Sequence, residues 1–256
     1  LLLAVDPKSL ALAPFSPGFN GPVSVKPSEL GLSINKDGII NVLPNIAGHV
    51  GSDMVAVLLA SGLKEMEGAN LAIDIGTNGE ILLAASGRVL TCSTAAGPAF
   101  EGACIRQGMR AVSGAIEGVR LQDGQVMLSV IGGANPAGIC GSGLIDCVAE
   151  LLKAGLVTQK GKLLTEAEAI AAGFPATMTE RLVAEVNGNS FILYKGEGDN
   201  SIAVTQKDIR EVQLATGVII AGIKVMMQEL KLDPQDLQHV LLAGAFGNYI
   251  KKDSAL

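Results

Sequence analysis

The sequence predicts an α/β fold, and three observations predict it. Apolar residues make up 48% of the 256 positions, yet aromatics only 3% with no Trp, so the core must be built from Ala, Val, Ile and Leu; with 32 glycines this favours layered helices and strands. At residues 71–85, LAIDIGTNGEILLAA reads as strand, tight turn, strand. Near the C-terminus a long apolar-striped helix is followed by a strand that stops in glycine and small residues, the place where an open α/β sheet sets its ligands.

In chain order, residues 6–31 carry five of the ten prolines (Pro7, Pro14, Pro17, Pro22, Pro27), which predicts an extended connection without long regular elements. Gly38–Leu43 reads as a short strand ending at Pro44. Ser52 is placed to cap a helix from Asp53 to Leu63, whose small residues Ala56, Ala60, Ser61 and Gly62 permit close approach of another helix.

The stretch 71–85 follows. Its first strand ends in Asp74, and Gly76-Thr77-Asn78-Gly79 form the turn. Two glycines allow positive φ and close approach of backbone N–H groups to an anion, while Thr77 and Asn78 add short donors. A carboxylate one turn away suits holding hydrated Mg²⁺ or orienting a water at phosphorus. Asn-Gly is equally the commonest hairpin turn, so the motif alone leaves a structural hairpin open.

Ser86-Gly87 predicts a turn into a third strand, 88–94. Gly97-Pro98 predicts a helix start and with it a second anion site, where Glu101 either complements the helix dipole or serves a metal. Glu117–Leu121 and Gln125–Val130 form a further hairpin around Asp123-Gly124. The glycines of GICGSG (138–143) open a helix, Leu144–Ala154, and serve either phosphate or close packing. Residues 160–200 are expected to be peripheral, with a helix near 165–172 and a strand near 191–194. Thr205 and Asp208 form a capping box for a helix Gln206–Leu230, with a buried stripe at Val212, Thr216, Ile219, Ile223, Met226 and Leu230. His239–Ala243 is the strand that runs into Gly244-Ala-Phe-Gly-Asn248.

A net charge of −6 and a pI near 5.0, with no basic cluster, argue against nucleic acid or an anionic membrane surface as partner. The longest apolar run, 212–227, is interrupted by Gly217, Gly222 and Lys224, so it reads as a core helix, not a membrane span. Four cysteines (92, 104, 140, 147) include no CxxC pair, which favours reduced thiols and a cytoplasmic location. His49 and His239 have no partner at metal spacing, and neither Gly-x-Ser-x-Gly nor HExxH occurs. The chain starts without Met inside an apolar element and lacks a basic n-region, so residues 1 and 256 read as cut points in a longer protein.

The order of GSDMVAVLLASGL, DIGTNGE and HVLLAGAFGNY resembles the second lobe of the acetate and sugar kinase, heat-shock ATPase and actin superfamily: connecting helix, second phosphate motif, adenosine motif. With STAAGPAFEGA, GICGSGLID and DIREVQLATG, the whole chain looks like the C-terminal ATPase domain of the reductive activators of corrinoid-dependent proteins. The resemblance implies an actin-like (ribonuclease H-like) lobe, a mixed sheet flanked by helices, with residues 1–63 as connecting segment and helix and 64–256 as the lobe. It implies ATP and Mg²⁺ as cofactors and a 2Fe-2S cluster only in a missing N-terminal part. The implied partners are a corrinoid protein of methyl transfer and an electron donor to the iron–sulfur domain, and a homodimer stays open. Carried over by position, Asp74 is the catalytic and metal residue. Gly76, Thr77, Asn78 and Gly79 hold the β/γ-phosphates, and Gly244, Phe246 and Gly247 flank the adenosine, with Gln213 as a further contact. Gly51 stands where several relatives carry a carboxylate, with Asp53 two residues on as a substitute. The first phosphate motif and second connecting motif are absent. A small-molecule kinase sharing the cleft and a non-catalytic docking or dimerisation domain are the alternatives.

Overall fold

The computed structural model describes residues 3–196 and 200–255. In chain order its elements are helix α1 (Lys8–Ala11), strands β1 (Val23–Val25) and β2 (Ile40–Val42), helix α2 (Ser52–Ser61), strands β3 (Ala69–Ile75), β4 (Gly79–Ala85), β5 (Arg88–Thr94), β6 (Ala115–Gln122), β7 (Gln125–Val130) and β8 (Gly138–Ile139), helices α3 (Gly141–Ala154), α4 (Glu166–Ala171) and α5 (Ala176–Thr179), strands β9 (Leu182–Glu185), β10 (Gly188–Lys195) and β11 (Ser201–Thr205), helix α6 (Gln206–Leu230), strand β12 (Leu237–Ala243) and short helices α7 (Gly244–Gly247) and α8 (Lys252–Ala255). They divide into two compact units, Leu1–Asp74 with Glu80–Thr94 and Gly222–Ala243, and Ile75–Gly79 with Ala95–Ala221 and Gly244–Leu256. Among the described residues no helix is long and apolar enough to cross a membrane.

The first unit holds a four-stranded mixed sheet ordered β12-β3-β4-β5. β12 runs parallel to β3, with Leu241 opposite Ala72 and Ala243 opposite Asp74. β4 and β5 are joined by Ser86 (φ 52°) and Gly87 (φ 74°), the two left-handed residues a tight hairpin demands. Both faces of the central strands are covered, and Leu71, Ala72, Ile81, Leu82 and Leu83 are all buried. Met54 and Leu63, from α2 and its exit, pack on Ala72, Leu82 and Ala84, with Val57, Leu58 and Val89 at the margin. Burying side chains of this size stabilises the fold by about 1.5–3 kcal/mol each. Gly222 of α6 is small for a reason: a Cβ there would stand 2.7 Å from Thr94 Cγ2 and 3.1 Å from Cys92 Sγ on β5.

The proline-rich stretch does form only short elements, with β1 antiparallel to β2 and Val23 opposite Val42. Ser52 is not the cap of α2. Gly51 occupies that position, and the Ser52 hydroxyl donates instead to the Leu43 carbonyl at 2.6 Å, fastening the preceding loop.

In the second unit, β6 pairs antiparallel with β7 and parallel with β8. Helix α3 sits directly on β6. A Cβ on Gly143 would approach the Ile116 carbonyl oxygen to 2.2 Å, and Ser142 donates to the Glu117 carbonyl at 2.9 Å. Close packing therefore accounts for that glycine of GICGSG. The region expected to be peripheral is not: Leu182, Phe191 and Leu193 are buried on a second sheet, β9-β10-β11, and Leu163, Ala169 and Met178 of the preceding loop and short helices are buried as well. The capping box of α6 is present, with the Asp208 amide donating to Thr205 Oγ1 at 3.1 Å and the Thr205 amide to Asp208 Oδ2 at 2.8 Å. Its buried line begins Ile209, Val212, Ala215, Ile219, so Thr216 is exposed; a 3-3-4 spacing from Ile209 selects Ala215 instead.

One predicted helix is missing. Pro98–Glu101 is a single 3-10 turn, ended by Gly102 at φ 81°, after which the chain doubles back so that a Cβ on Gly108 would meet the Gly102 carbonyl oxygen at 2.1 Å. Four residues supply no helix-dipole anion site.

Candidate functional site

Asp74 sits in the first unit at the end of β3, half-buried. Burial, and then the carboxylate of Asp53 in the first turn of α2, hold its carboxyl above the ordinary carboxylate range. Two acids in each other's field are relieved by a divalent cation or a proton. Among the described residues no group of three or more His, Cys, Asp and Glu is arranged for a metal. One or two carboxylates nonetheless fit Mg²⁺, which keeps several waters and takes its other oxygens from phosphates.

In the second unit, the Gly76–Gly79 turn is closed by the Gly76 amide donating to the Asn78 carbonyl at 2.8 Å. Gly76 lies outside the left-handed region, and the nearest atom to a Cβ there would be the Asn78 carbonyl oxygen at 3.7 Å, so the positive φ expected of it does not occur. Thr77 and Asn78 are exposed. The Thr77 hydroxyl donates to the Glu101 carboxylate. Glu101, whose role was open between dipole and metal, is thus an acceptor for the turn.

Glu101 also lines a cavity of about 680 Å³ with Phe100, Arg110, Glu117, Phe246 and Tyr249. Phe100 and Phe246 stack at 5.8 Å between ring centroids with 23° between planes. Gly141 makes room for this pair: a Cβ there would lie 2.0 Å from the Phe100 carbonyl oxygen and 2.6 Å from Phe246 Cε2. Gly244 takes φ 77°, which lets β12 turn sharply into α7, and Gly247 is buried. The cavity is about the size that small ligands occupy, walled by aromatic carbon with a few charged groups at its edge.

Of the residues singled out in the sequence, Thr77 and Phe246 are therefore linked through Glu101 and Phe100. Gln213 stands apart, outside the cavity lining; its Oε1 accepts from Arg210 Nη1 at 3.0 Å, and its amide packs where a Cβ on Gly161 would otherwise sit. Phe100 and Tyr249 lie in the motifs STAAGPAFEGA and HVLLAGAFGNY, which do not single them out, and no spacing rule connects residues 100 and 246. His239 Nδ1 lies 2.8 Å from Oδ1 of the buried Asn70, a structural contact. Cys147 is fully buried, and burial followed by the charges of Asp208, Asp146 and Glu150 pushes its thiol far up, so it stays protonated.

The chain is similar to known proteins over its length. Residues 68–256 match the family model described as the C-terminal domain of RACo, the ASKHA domain, and residues 1–66 match the RACo middle region. The chain is 38% identical over 259 residues to the corrinoid activation enzyme RamQ of Eubacterium limosum, covering 100% of this chain and 43% of that protein. It is 29% identical over 238 residues to a Co(II) methylated amine-specific corrinoid protein reductase of Methanosarcina barkeri, covering 84% and 39%. A solved structure of a reductive activator for corrinoid, iron-sulfur protein matches with a TM-score of 0.83 at 35% identity, covering 99% of this chain and 40% of that one. The chain thus spans about two fifths of the length of these relatives.

Proposed function

Since this chain belongs to the RACo family, with the C-terminal ASKHA domain at residues 68–256 and the middle region at 1–66, we propose that it is the ATP-binding and ATP-hydrolysing part of a reductive activator. In this reading hydrolysis is coupled to reduction of Co(II) to Co(I) in a corrinoid protein of methyl transfer. Residues 1–63 are the connecting segment and helix, and 64–256 the second ATPase lobe. A 2Fe-2S cluster, served by an electron donor, belongs to a part of the protein outside this chain. The location is cytoplasmic in this reading.

The observation that carries the reading is the link from Thr77 through Glu101 to the Phe100–Phe246 cavity, so that the Gly76–Gly79 turn and a cavity large enough for a small ligand belong to one compact unit. The amides of Thr77 and Asn78, with Gly79, bind the β/γ-phosphates. The Gly76 amide holds the turn's shape, since it is already bonded to Asn78. Phe246, with Gly244 and Gly247 shaping its approach, takes the adenosine; Gln213 is not in the cavity lining, and the proposal gives it no contact with the base. Asp74, with Asp53 beside it, would hold Mg²⁺ and orient the attacking water. The metal, when bound, would supply neutralisation of phosphate charge. Binding and release of the γ-phosphate would then drive a closing and opening motion that gates electron transfer to the corrinoid.

The test is reduction of a Co(II) corrinoid protein by the full-length activator, followed by the visible spectrum of Co(I). Conversion that requires Mg·ATP and disappears in Asp74→Asn supports the reading. Conversion indifferent to ATP, or transfer of phosphate to an added small acceptor, would overturn it in favour of a redox module or a kinase.

A further inference from the structure

We propose that Glu101 is a positioning residue that holds the Thr77 hydroxyl and competes for it with the triphosphate. This rests on the nucleotide reading above, where Glu101 only links the turn to the cavity, and gives that side chain an energetic role in ligand binding. The hydroxyl of Thr77 has one proton to donate, and in this structure it goes to the Glu101 carboxylate. A phosphate oxygen at the same turn needs that proton, so the two acceptors exclude each other.

The placement of Glu101 turns this exchange into a signal. It ends the 3-10 turn Pro98–Glu101, which is bounded by two glycines at positive φ, Gly97 at 77° and Gly102 at 81°. The preceding residue, Phe100, is stacked on Phe246 in the cavity wall. Release of Thr77 therefore reaches the base chamber through one peptide bond. A carboxylate left beside the phosphates also repels them, and a charged acceptor holds a hydroxyl about twice as strongly as a neutral one. Glu101 consequently weakens ATP relative to adenosine, the nucleoside that has no phosphate to compete for Thr77.

The experiment is equilibrium binding of adenosine, ATP with EDTA, and Mg·ATP to the full-length protein by calorimetry. Glu101→Gln is expected to bind ATP about fivefold more tightly, with and without Mg²⁺, and adenosine within about twofold of the parent. Thr77→Val should bind ATP about tenfold more weakly with adenosine unchanged, while Thr77→Ser restores the parent value. In the Thr77→Val background most of the gain from Glu101→Gln should vanish, since the contested proton is gone. Unchanged ATP affinity in Glu101→Gln would overturn the proposal. So would a loss confined to Mg·ATP, which would make Glu101 a metal ligand. Failure of the parent protein to bind either ligand would overturn the nucleotide reading itself. Adenosine binding in every variant reports that the site is folded, so a misfolded variant cannot imitate any of these results.

Discussion

Replacing Asp208 by alanine removes three hydrogen bonds from a carboxylate that is fully buried at the start of α6. Oδ2 accepts from the Thr205 amide at 2.8 Å and from the Thr205 hydroxyl at 2.8 Å, and Oδ1 accepts from the Arg106 amide at 2.9 Å. Bonds to a charged acceptor contribute about 1.5 kcal/mol or more each, and the buried Thr205 donors would be left without an acceptor. The expected loss is about 3–5 kcal/mol, a large share of the total stability of a domain this size. Asp208→Asn keeps one oxygen but turns an N–H toward a donor, so it should cost about 2 kcal/mol. The assay is urea unfolding followed by far-ultraviolet circular dichroism, comparing midpoints at a constant slope. The Arg106 bond also ties the loop after Glu101 to the helix, so the alanine variant should loosen that loop and become more sensitive to protease there. A loss below about 1 kcal/mol for Asp208→Ala would refute the argument, because it would mean the carboxylate is solvated or replaceable.

Asp74→Asn is expected to lower ATP hydrolysis by at least about 100-fold while the fold persists, as measured by phosphate release and circular dichroism. The same change has a signed effect on the nucleotide-free protein. Because the folded-state pKa of Asp74 is raised, by burial first and Asp53 second, its stabilising contribution is present at low pH and is lost as pH rises from about 4 through the folded value. The asparagine variant should lack that decline and be the more stable form at neutral pH. A pH–stability curve identical to the parent's would contradict this. Phe246→Ala should weaken adenosine about tenfold by equilibrium titration, since it removes one ring of the stacked pair. Gly143→Ala should destabilise by about 2 kcal/mol or more, because the added methyl meets the Ile116 carbonyl at 2.2 Å and backbone must move; a thermal midpoint equal to the parent's would show that α3 can slide.

Much of this architecture was legible in the residues, and for local reasons. Asn-Gly and Asp-Gly punctuation located the hairpins at 76–79 and 123–124, and the apolar runs on either side of the first located β3 and β4, because turn chemistry and short apolar runs act over a few residues. The Thr205–Asp208 box was readable for the same reason. The order of DIGTNGE and LAGAFG led to the actin-like ATPase fold and the corrinoid-activator family, and both are borne out by the family models and the match at a TM-score of 0.83. Long-range choices were not readable. Whether Ser52 caps its helix depends on the Leu43 carbonyl nine residues away, and whether Gly97-Pro98 opens a helix depends on the fold-back of Gly102 onto Gly108. The burial of Phe191 and Leu193 depends on the pairing of β10 with β11, which no window of the sequence displays. The candidate site divides along the same line: Thr77 and Phe246 announce themselves in motifs, whereas Glu101 and Phe100 gain their meaning only from what the chain folds against them.

A structure of the full-length protein with Mg²⁺ and a non-hydrolysable ATP analogue tests the account most directly. It should place phosphate oxygens within hydrogen-bonding distance of the Thr77 and Asn78 amides, the metal's water shell on Asp74, and the adenine beside Phe246, with Thr77 detached from Glu101. A nucleotide bound elsewhere, with the Gly76–Gly79 turn still closed on Glu101, would contradict it.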